Sequence, residues 1–123
     1  MTLQFVRFHC DGDLVSQLGT FAIGTTDHGH GTIVTDNIEC HSVRLAQTEA
    51  GGTYDWHPAP RRQLVVTLSG RIAFEFGNGD TLEVGPGDVF LAEDLEGRGH
   101  KWHIVGEEPW KRLYVHLECA PRT

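Results

Sequence analysis

The sequence predicts an all-β fold, an antiparallel sandwich or barrel, on three observations. Short runs alternate apolar with polar residues, turn signals recur between them at short intervals, and no stretch carries the periodicity of a long amphipathic helix. Glycine is abundant at 15 residues, as frequent turns require.

Taken in order, LQFVRF (Leu3–Phe8) reads as a first strand. DLVSQLG (Asp13–Gly19) reads as one helical turn capped by Asp13. DHGHG (Asp27–Gly31) reads as a mobile loop, since glycine on both sides of His30 opposes a preorganised site. ECHSVRLAQT (Glu39–Thr48) alternates through Val43 and Leu45, and QLVVTLSG is a strand ending at Gly70. RIAFEF (Arg71–Phe76) sets Ile72, Phe74 and Phe76 on one face. GNGD (Gly77–Asp80) contains Asn-Gly, a strong hairpin signal because both residues tolerate positive φ. TLEV (Thr81–Val84), the turn GPGD (Gly85–Asp88) and VFLA (Val89–Ala92) follow. EDLEGRG (Glu93–Gly99) reads as a solvated acidic connection with room for a lid over a cavity mouth. HKWHIV (His100–Val105), the turn GEEP and KRLYVHLE (Lys111–Glu118) complete the pattern.

A length of 123 residues suits one domain with one core. The formal charge of −7, from ten basic and seventeen acidic residues, argues against a nucleic-acid surface. No run approaches the roughly 20 apolar residues of a membrane helix. MTLQFVRFHCDGD has no cleavage pattern, so a cytoplasmic location is expected. Cys10, Cys40 and Cys119 lack disulfide or zinc spacing and read as reduced, inert thiols. Eight histidines raise the prospect of metal or proton chemistry.

The stretch GGTYDWHPAPRRQLVVTLSG concentrates the functional signal. With a strand running through its prolines, His57, Ala59, Arg61, Gln63, Val65 and Thr67 share one side. Pro58 and Pro60 cannot donate ladder hydrogen bonds, so this end is an edge or a bulge, where a barrel opens to water. Polar groups near a rim and apolar groups deeper in are the lining of an open cavity. Alternation favours Arg61 over Arg62 as an anchor for a carboxylate or phosphate. Gln63 reads as a substrate hydrogen-bonder, and Trp56 and Trp102 as cavity walls. His41, His103 and His116 read as structural.

The spacing Gly51-x5-His57-x-Ala59-x3-Gln63-x6-Gly70 resembles the first motif of the cupin superfamily, Gly-x5-His-x-His-x3-Glu-x6-Gly. The stretch from Gly79 through GPGDVFLAEDLEGRGH to His100 is similar to the second. The resemblance implies a double-stranded β-helix closed as a jelly-roll barrel, one domain over 1–123. Its motif-bearing core would span about 40–118, with an N-terminal strand and loop over 1–39. It also implies a divalent transition metal (Fe, Ni, Mn or Zn), or none. Ala59 and Gln63 stand where the family has a second His and a Glu, so His57, Gln63 and His100 are the candidate ligands.

Two functions follow as expectations. One is an isomerase, lyase, cyclase or metal-dependent dioxygenase acting on a small polar or anionic molecule. In it His57 and His100 hold a metal or act as acid and base, and Arg61 anchors the substrate. The other is a non-catalytic small-molecule binding or sensing module. A homodimer is expected too, with Leu3–Phe8 as the edge strand that meets a neighbour.

Overall fold

The computed structural model describes residues 2–118, so Cys119 lies outside the described residues. It contains β1 (Thr2–Cys10), β2 (Ser16–Gly24), β3 (Thr26–Gly29), β4 (Thr32–Val34), β5 (Ser42–Thr48), β6 (Thr53–His57), β7 (Gln63–Ser69), β8 (Arg71–Phe76), β9 (Thr81–Val84), β10 (Val89–Ala92), β11 (His100–Val105) and β12 (Trp110–His116). A larger sheet runs β2-β1-β10-β7-β12-β5 and a smaller one β6-β11-β8-β9, while β3 and β4 form a separate hairpin. The β1–β10 pair is parallel; the other strand pairs are antiparallel.

Period-two alternation builds the core between the sheets. In β8 the alternate residues Ile72, Phe74 and Phe76 are buried, and Phe8 of β1 and Phe90 of β10 meet them from the larger sheet. The Phe8 ring stacks on Phe90 at 4.2 Å and takes Phe74 and Phe76 edge-on at 5.2 and 4.6 Å. Full burial of one such ring stabilises by roughly 1.5–3 kcal/mol. Towards the other end, Trp102 of β11 packs edge-on to Trp110 of β12 at 5.1 Å. The Asn-Gly hairpin forms as its chemistry requires: Gly79 has φ +93° and links β8 to β9.

The N-terminal third departs from expectation. Residues 1–39, read as one strand and a loop, contain β1 to β4. The helical turn expected over Asp13–Gly19 does not form. The carboxylate of Asp11, not Asp13, accepts from the Asp13 and Val15 amides at 2.8 and 3.0 Å, making a tight turn that launches β2 at Ser16. Asp27–Gly31 is the tip of the β3–β4 hairpin rather than an open loop, with positive φ at Gly29, His30 and Gly31. Strand β1 is no edge, since β2 and β10 flank it on both sides.

The strand expected through Pro58 and Pro60 is broken there. β6 ends at His57 in the smaller sheet and β7 begins at Gln63 in the larger. Residues 58–62 therefore cross between the sheets, and the Ala59 amide donates to the Asp94 carbonyl at 2.9 Å across the crossing.

Gly99 fixes where that crossing begins. Its φ is +81°, and a Cβ there would lie 1.9 Å from the His57 carbonyl oxygen. Gly99→Ala should therefore lose about 3 kcal/mol in urea unfolding, from backbone strain and overpacking together. Gly79→Ala, with open space around its Cβ, should lose only about 1 kcal/mol. Equal losses would contradict this packing.

Candidate functional site

A cavity of about 640 Å³ lies between the sheets. Strand β12 supplies one wall, its alternate residues Trp110, Arg112, Tyr114 and His116 all facing inward. Neighbouring strands add Arg44 from β5 and Gln63 and Val65 from β7, and the crossing adds Ala59 and Arg61. The opposite wall carries Tyr54, His57, His100 and Trp102.

Charge inside this wall has one sign. Arg44, Arg61 and Arg112 line it, and no Asp or Glu side chain does. Arg112 is the deepest of the three, only 7% exposed. Its Nε donates to the Tyr114 hydroxyl at 3.0 Å, and its Nη1 donates to Thr48 Oγ1 at 2.7 Å and the Trp110 carbonyl at 3.1 Å. The guanidinium lies 3.9 Å over the Trp110 ring. Among the described residues no carboxylate forms an ion pair with it. A charge buried this far normally has a counter-charge, because desolvation costs several kcal/mol per ion.

The two histidines are register partners on adjacent strands of one wall, with ring centroids 4.7 Å apart. His57 Nδ1 lies 2.7 Å from the Asp55 carbonyl, which can only accept, so Nδ1 carries the proton and the neutral ring keeps its lone pair on Nε2. Burial lowers the His57 pKa below 6.5; the Asp55 hydrogen bond opposes this and nearby His100 adds to it. His100 Nδ1 lies 2.6 Å from Asp94 Oδ2, which also accepts from Ser16 Oγ at 2.7 Å. Asp94 is fully buried behind the imidazole, and its Oδ1 has no hydrogen-bond partner. His116 shares its Nδ1 with Ser42 Oγ at 3.0 Å and Arg61 Nη1 at 3.4 Å. Burial first, then the charges of Arg61, Arg44 and His41, lower its pKa.

The structure places His57, His100, Arg61, Gln63 and Trp102 in the cavity wall. Trp56 lies outside it. Adjacent strand residues face opposite ways, and its ring sits under Arg98 at 4.2 Å and Lys101 at 4.9 Å. Arg62 also points away, to Glu93 at 2.9 Å. Glu93 is not a solvated acid, because Arg7 grips its other oxygen. Arg112, Arg44 and Tyr114 were not anticipated, and His116, read as structural, lines the cavity. The signal for Arg112, Tyr114 and His116 was present as alternation in WKRLYVH.

The donor set does not fit a resident divalent metal. Among the described residues no three His, Cys, Asp or Glu side chains are grouped to hold one. His57, His100 and the neutral amide of Gln63 bring no negative charge, and three guanidiniums share their cavity.

Three solved structures resemble this arrangement of strands. A Klebsiella pneumoniae protein with a double-stranded β-helix domain is 21% identical with a TM-score of 0.51, covering 77% of this chain and 80% of that one. The cupin domain of Schizosaccharomyces pombe Cnp3 is 12% identical with a TM-score of 0.51, covering 98% of this chain and 84% of that one. The chain has the cupin fold. A conserved Streptococcus pyogenes protein of unknown function, SPY1581, is 21% identical with a TM-score of 0.50 over 66% of this chain, which spans 65% of that protein's length. No protein-family model matches the sequence. No curated protein is significantly similar to it.

The lowered pKa values fix how acid acts on this chain. His57 and His116 bind protons less readily folded than unfolded, so a stability penalty sets in as pH falls below 6.5. Burial opposes ionisation of Glu93, but hydrogen bonds from Arg62 and Arg7 prevail and lower its pKa below 4.5. Its contribution is present above that value and is lost as pH falls through the lowered one. Urea midpoints should thus drop in two stages, one as pH falls below 6.5 and one as it falls below 4.5. His57→Gln with His116→Gln should flatten the upper stage alone, and an unchanged upper stage in that variant would contradict the assignment.

Proposed function

We propose that this cupin binds a small organic anion in its barrel cavity and moves a proton on it with the His57–His100 pair. One observation carries the reading: Arg112, buried in the cavity wall, has no carboxylate partner among the described residues. An anionic ligand supplies the missing charge. His57, neutral with its Nε2 lone pair available, suits the role of base. His100, backed by the Asp94 carboxylate, suits the role of the partner that donates. The reaction class is proton transfer, as in an isomerisation or elimination, with no resident metal. The second reading is a binding or sensing module without chemistry, favoured by the two motif positions that hold Ala59 and Gln63.

Calorimetry with a panel of small carboxylates tests the binding. Arg112→Met, which keeps the volume and removes the charge, should weaken a bound anion about 100-fold, the effect of leaving a buried charge unpaired. Anions that bind are then incubated in heavy water and followed by proton NMR. Deuterium uptake that is lost in His57→Gln and His100→Gln, with affinity kept within about threefold, marks an enzyme. Tight binding with no uptake in the native protein marks the sensing module, and equal affinity in Arg112→Met removes both.

A homodimer belongs to the same reading, through β5 instead of β1. Strand β5 is an open edge of the larger sheet, and its outward side chains Val43 and Leu45 are 62% and 72% exposed. Such an edge invites pairing with its own copy about a two-fold axis. Light scattering should show a dimer that Leu45→Lys converts to monomer; a monomeric native protein would overturn this. No helix long and apolar enough to cross a membrane occurs among the described residues. A cytoplasmic location is consistent with the exposed free thiol of Cys40.

A further inference from the structure

Resting on the anion reading above, we propose that the ligand carries two negative ends, a short-chain dicarboxylate, held by Arg112 at the cavity floor and by Arg44 and Arg61 nearer its mouth. Of the seven arginines among the described residues, three line the cavity and four do not; Arg98, one of those four, lies over the Trp56 ring. Arg7 and Arg62 share Glu93, and Arg71 pairs with Glu83, all on the outside. Arg44, Arg61 and Arg112 face the cavity, and none of them has a carboxylate partner among the described residues. Seventeen acidic residues were available to neutralise ten basic ones, so the shortage is local to the cavity. One anionic group would answer one guanidinium and leave the others uncompensated.

Strand register sets the distance between the two grips. Trp110 forms the floor, opposite Thr48 of β5. Arg112 stands one inward step above it, opposite Ala46 and Thr67. Tyr114 is the next inward step, opposite Arg44 and Val65, and His116 the next, opposite Gln63. Arg61 reaches that last level, since its Nη1 lies 3.4 Å from His116 Nδ1. At about 3.4 Å per residue, the Arg44 level is about 7 Å above Arg112 and the His116 level about 14 Å. Long arginine side chains shorten these spans, so a dicarboxylate of about four to six carbons bridges them, at about 1.3 Å of reach per bond.

The donors are disposed for this grip. Arg112 spends Nε and Nη1 on Tyr114, Thr48 and the Trp110 carbonyl, which leaves Nη2 for a ligand oxygen. The histidine pair faces the lower end of the span, near the Arg112 level. Trp102 packs on Trp110 at the floor, and His100, two residues away on the same face of β11, stands one level higher on the opposite wall. The carbon next to the carboxylate held by Arg112 would therefore lie beside His57 and His100, where its proton is exchangeable.

Calorimetry on the full chain with matched pairs decides it: succinate against butyrate, glutarate against valerate, adipate against hexanoate. At least one dicarboxylate should bind about tenfold or more tightly than its partner. Arg44→Ala with Arg61→Ala, both at accessible positions, should bring that dicarboxylate down to the monocarboxylate level and leave the monocarboxylate unchanged. Arg112→Met should weaken both. Equal affinity within every pair would overturn the two-ended ligand and leave the anion reading standing. A preference for dicarboxylates that survives the Arg44 and Arg61 changes would overturn the assigned grip. Failure of both classes to bind would overturn both proposals.

Discussion

Three groups converge on the fully buried carboxyl residue Asp94, and the geometry of the cavity depends on them. Ser16 reaches its Oδ2 from β2, at the edge of the larger sheet. His100 reaches the same oxygen from β11 in the smaller sheet. The Ala59 amide takes its backbone carbonyl from the crossing segment. One residue thus ties both sheets and the link between them. Short hydrogen bonds to a charged acceptor are about twice as strong as neutral ones, which helps to offset the desolvation of the carboxylate. The orphaned Oδ1 marks the cost, since an unsatisfied buried acceptor loses about 1–3 kcal/mol. A cheaper arrangement would leave His100 free to rotate; this one aims it.

The same segregation of charge shapes the rest of the site. The chain is acidic overall, yet its cavity wall is basic. Outside, Glu93 neutralises Arg7 and Arg62, and Glu83 neutralises Arg71. Inside, aromatic faces do part of that work: Arg112 lies over Trp110 and near Tyr114 and Trp102. Cation–π contacts and three neutral acceptors hold the guanidinium in place without cancelling its charge. A preorganised charge of this kind favours an anion strongly because little reorganisation is needed when it arrives.

Much of the fold was legible because alternation and turn chemistry are local. Ile72, Phe74 and Phe76 announce an inward face, and Asn78-Gly79 announces the hairpin after it. β2 was missed because SQLGTFAIG has little apolar contrast and because Asp11, not Asp13, organises the turn before it. The site was half legible. The spacing of His57, Gln63 and His100 pointed to one cavity, although the strand supposed to connect them is broken and changes sheet. Arg112 stayed hidden because β12 is inverted relative to an ordinary core strand: Arg112 and His116 face inward while Leu113 and Val115 take the other face. The burial of Asp94 stayed hidden because Glu93–Gly99 has the composition of a solvated loop, and only tertiary contact shows its second residue buried.

The central claim is that the barrel interior is an anion site organised by Arg112, and anomalous diffraction from crystals grown in bromide tests it most directly. A bromide peak in hydrogen-bond contact with Arg112 Nη2, inside the cavity, is the predicted result. A cation peak shared by the His57 and His100 Nε2 atoms, with no anion against the guanidinium, would contradict it.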